Sequence, residues 1–383
     1  MIYLDHHATT PVDERVFEEM KPYFMDEFGN AASNDHDAGR RAKQAVDNSR
    51  QQIAELINAE KDDVIFTSGA TESNNISLLG VARAYEDEGN HIVTTNVEHN
   101  AVLDPCEKLE EDGFDVTYLP VNEDGLIEPK QVVQAIRDDT ILVSVMTANN
   151  EIGTLMPIDE IGSITSEHGV VFHTDAAQAT GYIPLDVEEM NIDLMSMSAH
   201  KMYGPKGIGA LYVRRVNPRI DLEPIIYGGG HERGLRSGTL NVPSIVGFGK
   251  AAEITSNNLK ERSLELQEMR DWFWEEVQER LDEVELNGHP EKRLPHNLNI
   301  FIRGVEAQSL IVKLDDIALS TGSACTSAKV EPSHVLMALG FGEKRAHQSI
   351  RFGLGKNNTK EELKKALGRL DESITRLSKL SPT

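Results

Sequence analysis

Val170-Val171-Phe172-His173-Thr174-Asp175-Ala176-Ala177-Gln178 and, a little further on, Leu194-Met195-Ser196-Met197-Ser198-Ala199-His200-Lys201 decide the fold. Each opens as a short apolar run of the kind that forms a buried strand, and each ends on side chains capable of chemistry. Working outward, Val64–Thr67, His91–Thr95, Asp115–Leu119 and Thr140–Met146 repeat the pattern, rich in Val, Ile, Leu and Met. Between these runs, Asn75–Asp87, Pro129–Arg137 and Ile158–His168 carry apolar residues at helical spacing. Such alternation predicts an α/β fold, a mostly parallel central sheet with helices on both faces. Ligands of such sheets bind beyond the carboxyl ends of the strands, so the loops there are the place to search.

The pattern changes past residue 240. Val246–Val284 reads as a long polar helix containing Trp272, Phe273 and Trp274, then Asn287–Arg293 gathers turn formers and Asn299–Ile302 reads as a strand. A boundary is therefore expected near residue 250. It separates a large unit, 15–250, from a smaller α+β unit, 251–383, with residues 1–14 packing on the latter. The chain of 383 residues carries 38 basic against 63 acidic side chains, a formal charge of −25. That balance argues against nucleic acid, whose phosphates demand Lys and Arg, and against an anionic membrane surface. Cys106 and Cys325 cannot make a disulfide framework, which points to a reducing, cytoplasmic setting. The start, Met1-Ile2-Tyr3-Leu4-Asp5-His6-His7, has no basic region followed by an apolar run, and no stretch is long and apolar enough to span a membrane.

Lys201 stands just past a strand, after Ser198 and His200 and before Tyr203-Gly204-Pro205-Lys206-Gly207. A lysine there can form a Schiff base with pyridoxal phosphate, although an isolated S-x-H-K match more often marks a surface lysine in a loop. Asp175 ends the preceding strand. A carboxylate so placed can pair with a protonated pyridine nitrogen, or simply cap a helix. Ser68-Gly69-Ala70-Thr71-Glu72-Ser73 lies between a strand and a helix, where backbone N–H groups can hold a phosphate, and it lacks the Walker pattern of nucleotide sites. Glu98-His99-Asn100 follows another strand and can lay an imidazole over a flat ring or move a proton.

Taken together these loops resemble fold-type I pyridoxal-phosphate enzymes, and the sequence is similar to the class I cysteine desulfurases that supply sulfur for iron–sulfur clusters. The resemblance runs from Tyr3-Leu4-Asp5 and Ala8-Thr9-Thr10-Pro11 to Ser349-Ile350-Arg351-Phe352. Between lie Gly69-Ala70-Thr71-Glu72-Ser73-Asn74, Glu98-His99, Asn149-Asn150-Glu151-Ile152-Gly153, Arg236-Ser237-Gly238-Thr239 and Gly322-Ser323-Ala324-Cys325-Thr326-Ser327-Ala328. It implies that Lys201 carries pyridoxal 5'-phosphate, Asp175 pairs with the pyridine nitrogen, Gln178 bonds the ring oxygen, and His99 stacks on the ring and shuttles protons. It further implies that Ala70, Thr71, Ser198 and His200 hold the phosphate, with Thr239 reaching in from the second subunit of a homodimer. Asn150 and Arg351 would engage substrate or cofactor, a planar guanidinium being suited to an α-carboxylate.

Cys325 lies in Ser320–His334, a run of Ser, Thr, Gly and Ala without apolar periodicity, which suggests an exposed thiol rather than a packed one. At an ordinary pKa of about 8.5 only ~3% is thiolate at pH 7, so the site must help remove its proton. The implied reaction takes L-cysteine to L-alanine, leaves a persulfide on Cys325, and passes the sulfur to an iron–sulfur scaffold or other acceptor protein. No resident metal is implied, although Cys325 would transiently ligate a cluster shared with such a scaffold. A selenocysteine lyase or aminotransferase is the rival within the same cofactor class. A non-catalytic sulfur carrier is the rival outside it, and such a platform needs none of Lys201, Asp175, His99 and Arg351. Cys106, in the helical run Asp104–Leu109, reads as structural. His6 and His7, adjacent on an extended segment, face opposite sides and do not suit a shared metal. Two departures from the family stand out: Ala31 replaces a proline in Gly29-Asn30-Ala31-Ala32-Ser33, and no extended tail of the kind used to dock a scaffold follows Leu377.

Overall fold

The computed structural model describes residues 1–321 and 332–378. Seven strands form one sheet, in the order Val64–Thr67, Gly209–Val213, Leu194–Ser198, Val171–Asp175, Thr140–Ser144, His91–Thr95 and Asp115–Leu119. All neighbours pair in parallel except Gly209–Val213, which runs antiparallel to both strands beside it. The five strands within the sheet are buried along their whole length, as expected where helices cover both faces, whereas Asp115–Leu119 at one edge is exposed at its first residue. Because Gly209–Val213 alone is reversed, the other six strands end at one edge of the sheet. Thr67, Thr95, Ser144, Asp175 and Ser198 all stand there.

That edge is closely packed at one glycine. Gly209 pairs with Thr67 on one side and Ser198 on the other. A Cβ on it would lie 2.5 Å from the Met197 carbonyl oxygen and 2.6 Å from Gly69 Cα, so only glycine lets the reversed strand start beside the Ser68–Thr71 loop.

The helix predicted at Val246–Val284 is Val242–Arg280, started by Asn241, whose side chain accepts the Ser244 N–H, with Pro243 in its first turn. It runs through residue 250, where the sequence suggests a change of unit, and Val284–Leu286 proves to be a strand instead of the helix's end. That strand, Asn297–Ile302 and Ser349–Gly353 form an antiparallel sheet. The chain's first residues belong beside it. Ile2–Tyr3 pairs in parallel with Ile317–Ala318, and Asp5 bridges to Gly353. A single hydrophobic cluster joins Leu4, Phe172, Phe273 and Leu370. At roughly 25 cal/mol per Å² of apolar surface, its fully buried Phe and Leu side chains each stabilise the fold by about 2 kcal/mol. No helix among the described residues is long and apolar enough to cross a membrane.

Candidate active site

A cavity of about 500 Å³ opens where the six strands end. Its lining includes Ala70, Thr71, His99, Asn150, Asp175, Gln178, Ser198, His200, Lys201 and Arg351, and also His7, Ala8 and Thr9 from the start of the chain. Ten of the twelve residues singled out from the sequence therefore meet in one place. Thr239 is exposed on its own chain and is not part of the lining. Cys325 lies outside the described residues.

Asp175 ends its strand with a carboxylate held on both oxygens. Oδ2 accepts from Asn74 Nδ2 at 2.7 Å, and Oδ1 from the Ala177 N–H at 2.9 Å. A carboxylate offers about four lone-pair sites, so acceptor capacity remains for a protonated ring nitrogen. Asn74 ends the Gly69-Ala70-Thr71-Glu72-Ser73-Asn74 motif, and its own Oδ1 is buried with no partner among the described residues.

Lys201 sits in the short turn Ala199–Lys201 after its strand, and its Nζ donates to the backbone carbonyls of His7 and Ala8. His7 belongs to the histidine pair unsuited to a shared metal, and Ala8 to the Ala8-Thr9-Thr10-Pro11 stretch that carries the family resemblance. His7 is fully enclosed: its Nε2 accepts from Asn297 Nδ2 at 3.1 Å, so Nδ1 carries the proton and donates to Gln178 Oε1 at 2.9 Å. Burial holds its pKa well below the ordinary value, so the ring is neutral. Gln178 Nε2 returns a bond to the His7 carbonyl at 3.0 Å, which leaves its second N–H for a ligand. His6 turns the other way, toward the Gly353 carbonyl, but the two histidines lie in a turn closed by the Ala8 N–H on the Asp5 carbonyl at 3.0 Å, not on the extended segment that the sequence suggests. No local signal marks His7 as part of the site, because its partners come from distant parts of the chain.

His99 is the N-cap of helix Asn100–Glu111, its Nδ1 accepting the Ala101 N–H at 3.0 Å. With that nitrogen occupied as an acceptor, the neutral ring carries its proton on Nε2. Burial lowers the His99 pKa, with Asp175 pulling the other way, so the neutral form prevails at pH 7. His200 bonds Thr9 Oγ1 through Nδ1 at 3.1 Å, and burial, then Lys201 and Lys206, push its pKa down to about 4. Beside His99, Glu98 is completely buried. Its Oε1 accepts from Thr95 Oγ1 and the Met146 N–H, while Oε2 has no partner among the described residues. Burial raises its pKa to about 8, and the nearby Asp175 charge pushes the same way.

Arg351 is 4% exposed and comes from the small antiparallel sheet. One terminal nitrogen donates to the Asn150 carbonyl at 2.8 Å and the other to Asp5 Oδ1 at 2.8 Å. Its Nε is buried and unpartnered among the described residues. A guanidinium fixed in this way has the planar geometry that suits a carboxylate. Ser320 and His334, which bound the run containing Cys325, are both tied to this neighbourhood: Ser320 bridges to Arg351, and His334 Nε2 bonds the Glu98 carbonyl at 2.9 Å. Cys106 is fully buried, and burial drives its thiol pKa far up, as expected for an inert structural residue. No group of three or more His, Cys, Asp or Glu among the described residues could hold a metal.

The chain matches the aminotransferase class-V family over residues 2–366. It is 52% identical to a protein named cysteine desulfurase IscS from Anaeromyxobacter dehalogenans (strain 2CP-C), across all of this chain and 94% of that one. Among solved structures, a NifS-like protein superposes with a TM-score of 0.91 at 35% identity, covering 98% of this chain and 99% of its own. A structure titled SspA in complex with cysteine gives 0.82 at 38% identity, over 92% and 99%. The chain belongs to the aminotransferase class-V family and, within it, to the cysteine desulfurases.

Proposed function

We propose that this cysteine desulfurase holds pyridoxal 5'-phosphate in the strand-end cavity and uses it to move sulfur from L-cysteine to Cys325. The observation that carries this reading is the convergence of Lys201, Asp175, His99 and Arg351 on one cavity from four separate segments. The residues fit the group. Asp175 keeps spare acceptor capacity for a ring N–H, Gln178 keeps one amide N–H, and the helix start at Ala70 offers backbone donors to a phosphate.

In this reading Lys201 carries the cofactor, Asp175 pairs with the ring nitrogen, and Gln178 donates to the ring oxygen. Ala70, Thr71, Ser198 and His200 hold the phosphate, His200 as a neutral donor since its pKa is low. The chemistry that the cofactor supplies when bound is an electron sink for the α-carbon of an amino acid. Arg351 and Asn150 fix the α-carboxylate of L-cysteine, and His99, neutral and oriented by its cap bond, holds and moves the proton through Nε2. Overall, the Cβ–S bond of L-cysteine breaks, an S–S bond forms on Cys325, and the carbon skeleton leaves as L-alanine. Cys325 follows Ser320 by five positions, a reach of up to about 17 Å, and Ser320 is bridged to Arg351.

The persulfide is then delivered to an iron–sulfur scaffold or another acceptor protein in the cytoplasm. Incubating the purified protein anaerobically with L-cysteine and a reductant, then measuring alanine and sulfide, tests the reading. Cys325→Ala is expected to keep the bound cofactor and lose alanine formation, while Cys106→Ala keeps both. Alanine produced by Cys325→Ala at the parent rate would sink the persulfide assignment. Thr239, exposed on its own chain, would complete the phosphate site of a second copy in a homodimer. Cofactor occupancy should then follow dimerisation. A fully loaded monomer in sedimentation would remove Thr239 from the site.

A further inference from the structure

Glu72 is out of place beside a phosphate. It stands in the first turn of helix Ala70–Ala84 and lines the same cavity as Ala70, Thr71, Ser198 and His200. The positive end of a helix draws anions, yet a carboxylate at that end competes with the ligand and repels it. Here the carboxylate is occupied on both oxygens. Oε2 accepts the Ser68 N–H at 2.8 Å, and Oε1 accepts Arg236 Nε at 2.7 Å. The pair is largely enclosed, with 22% of the Arg236 side chain and 13% of the Glu72 side chain exposed.

Arg236 does not reach Glu72 by chance of rotamer, because its segment is braced on both flanks. Upstream, Glu232 accepts two bonds from Arg50 and the Phe66 N–H, all at 2.7 Å, which ties the segment to the strand leading into the Ser68–Thr71 loop. Ile226 bridges to Arg236, and His231 Nδ1 accepts the Gly238 N–H at 3.2 Å. The sequence GGGH at 228–231 therefore serves to present Arg236.

We infer that Arg236 is a positioning residue for the cofactor's phosphate: it cancels the Glu72 charge and turns that carboxylate onto Ser68, so that the Ser68–Thr71 loop meets the anion without net negative charge. The inference rests on the cofactor reading above. Burial alone would raise the Glu72 pKa, but the bonds from Arg236 and Ser68 outweigh it and leave the group ionised. Its charge is thus permanent near neutral pH, and something must neutralise it.

Full-length protein stripped of cofactor is titrated by equilibrium dialysis with pyridoxal 5'-phosphate and, separately, with pyridoxal, which lacks the phosphate. Arg236→Gln should weaken the phosphorylated ligand roughly 10- to 100-fold and leave pyridoxal within about twofold, because the exposed charge acts on the phosphate alone. Adding Glu72→Gln to that variant should restore phosphate-ligand affinity to within about threefold of the parent. Equal loss of both ligands in Arg236→Gln, or a double variant no better than the single one, would overturn the inference. If Arg236→Gln does not fold, Glu72→Gln alone decides. It should bind pyridoxal 5'-phosphate at least as tightly as the parent, and a clear loss counts against the idea. A parent that binds neither ligand would remove the cofactor reading itself.

Discussion

On the sheet side of the cavity each side chain stands within a few residues of the strand that carries it. Asp175 ends its strand, Lys201 lies three residues past Ser198, and His99 caps the helix that follows Thr95. The remaining lining is assembled differently. Arg351 pairs with Asp5 across 346 residues, and His7 bonds Gln178 and Asn297 across 171 and 290. The first group inherits its geometry from strand pairing, which is cooperative and buried throughout. The second depends on docking the chain's first residues and the small antiparallel sheet onto that edge. The groups proposed to hold the cofactor thus come mainly from the sheet edge, and the one proposed for the substrate carboxylate comes from the docked part.

The largest effect is expected where the two meet. Lys201 belongs to the sheet edge, but its Nζ is bonded to carbonyls of the docked segment. Lys201→Ala should lower alanine formation by about 10³-fold or more and abolish the visible absorbance of the lysine-linked cofactor. The fold should persist, because the backbone of the Ala199–Lys201 turn is untouched. Turnover near the parent rate would mean that another amine carries the cofactor and that the strand-end reading is wrong.

The same contrast governs what was legible from sequence. Strands Val64–Thr67 and His91–Thr95 lie where apolar runs predict them, because burial of a whole strand leaves a contiguous signature, and the edge strand Asp115–Leu119 also lies as predicted although only Val116 and Leu119 are buried. The residues just past those strands were legible for the same reason. His7 was not: its neutral, singly oriented ring exists only through Gln178 and Asn297, and adjacent histidines by themselves suggested merely a poor metal site. Asn74 and Glu72 stood inside a recognised motif, yet their contacts with Asp175 and Arg236 are tertiary and left no periodic trace. Helix boundaries slipped for a local reason. Ala70–Ala84 starts five residues earlier than apolar spacing indicates, since its first turn is polar and faces the cavity.

A second, smaller effect probes the sheet side alone. The Glu98 pKa lies at about 8, raised by burial, while an unfolded chain would titrate it near its ordinary value of 4.5. Between these values the folded protein keeps the proton and the unfolded chain loses it, so the unfolded state binds fewer protons and stability falls as pH rises. The favourable contribution is complete below about pH 4.5 and is lost by the time pH passes through 8. Glu98→Gln removes this dependence. Across pH 5 to 8 the parent should therefore lose up to roughly 4 kcal/mol relative to the variant, measurable by urea unfolding at several pH values. Parallel stability curves for the two proteins would show that Glu98 is ionised in the fold, and the sheet side would then be wetter than its burial implies.

The smallest effect falls on the docked side, and it separates holding the substrate from performing the reaction. Arg351 spends its two terminal nitrogens on Asn150 and Asp5, so its orientation is fixed before any substrate arrives. Arg351→Lys keeps a positive charge near Asp5 but loses the planar fork and the buried Nε donor. One charge-assisted bond to the substrate carboxylate then disappears, a loss of about 1.5–3 kcal/mol, or roughly 10- to 100-fold. Because that carboxylate stays ionised from bound substrate to transition state, the loss should appear mainly as a higher KM for L-cysteine, with kcat changed by less than about threefold. Cofactor absorbance should be that of the parent, since Asp175, Lys201 and His99 lie on strand ends that do not include Arg351. A fall in kcat at unchanged KM would place Arg351 in the chemical step instead. The docked group would then be as much a part of the catalytic machinery as the sheet edge, and the division between the two would fail.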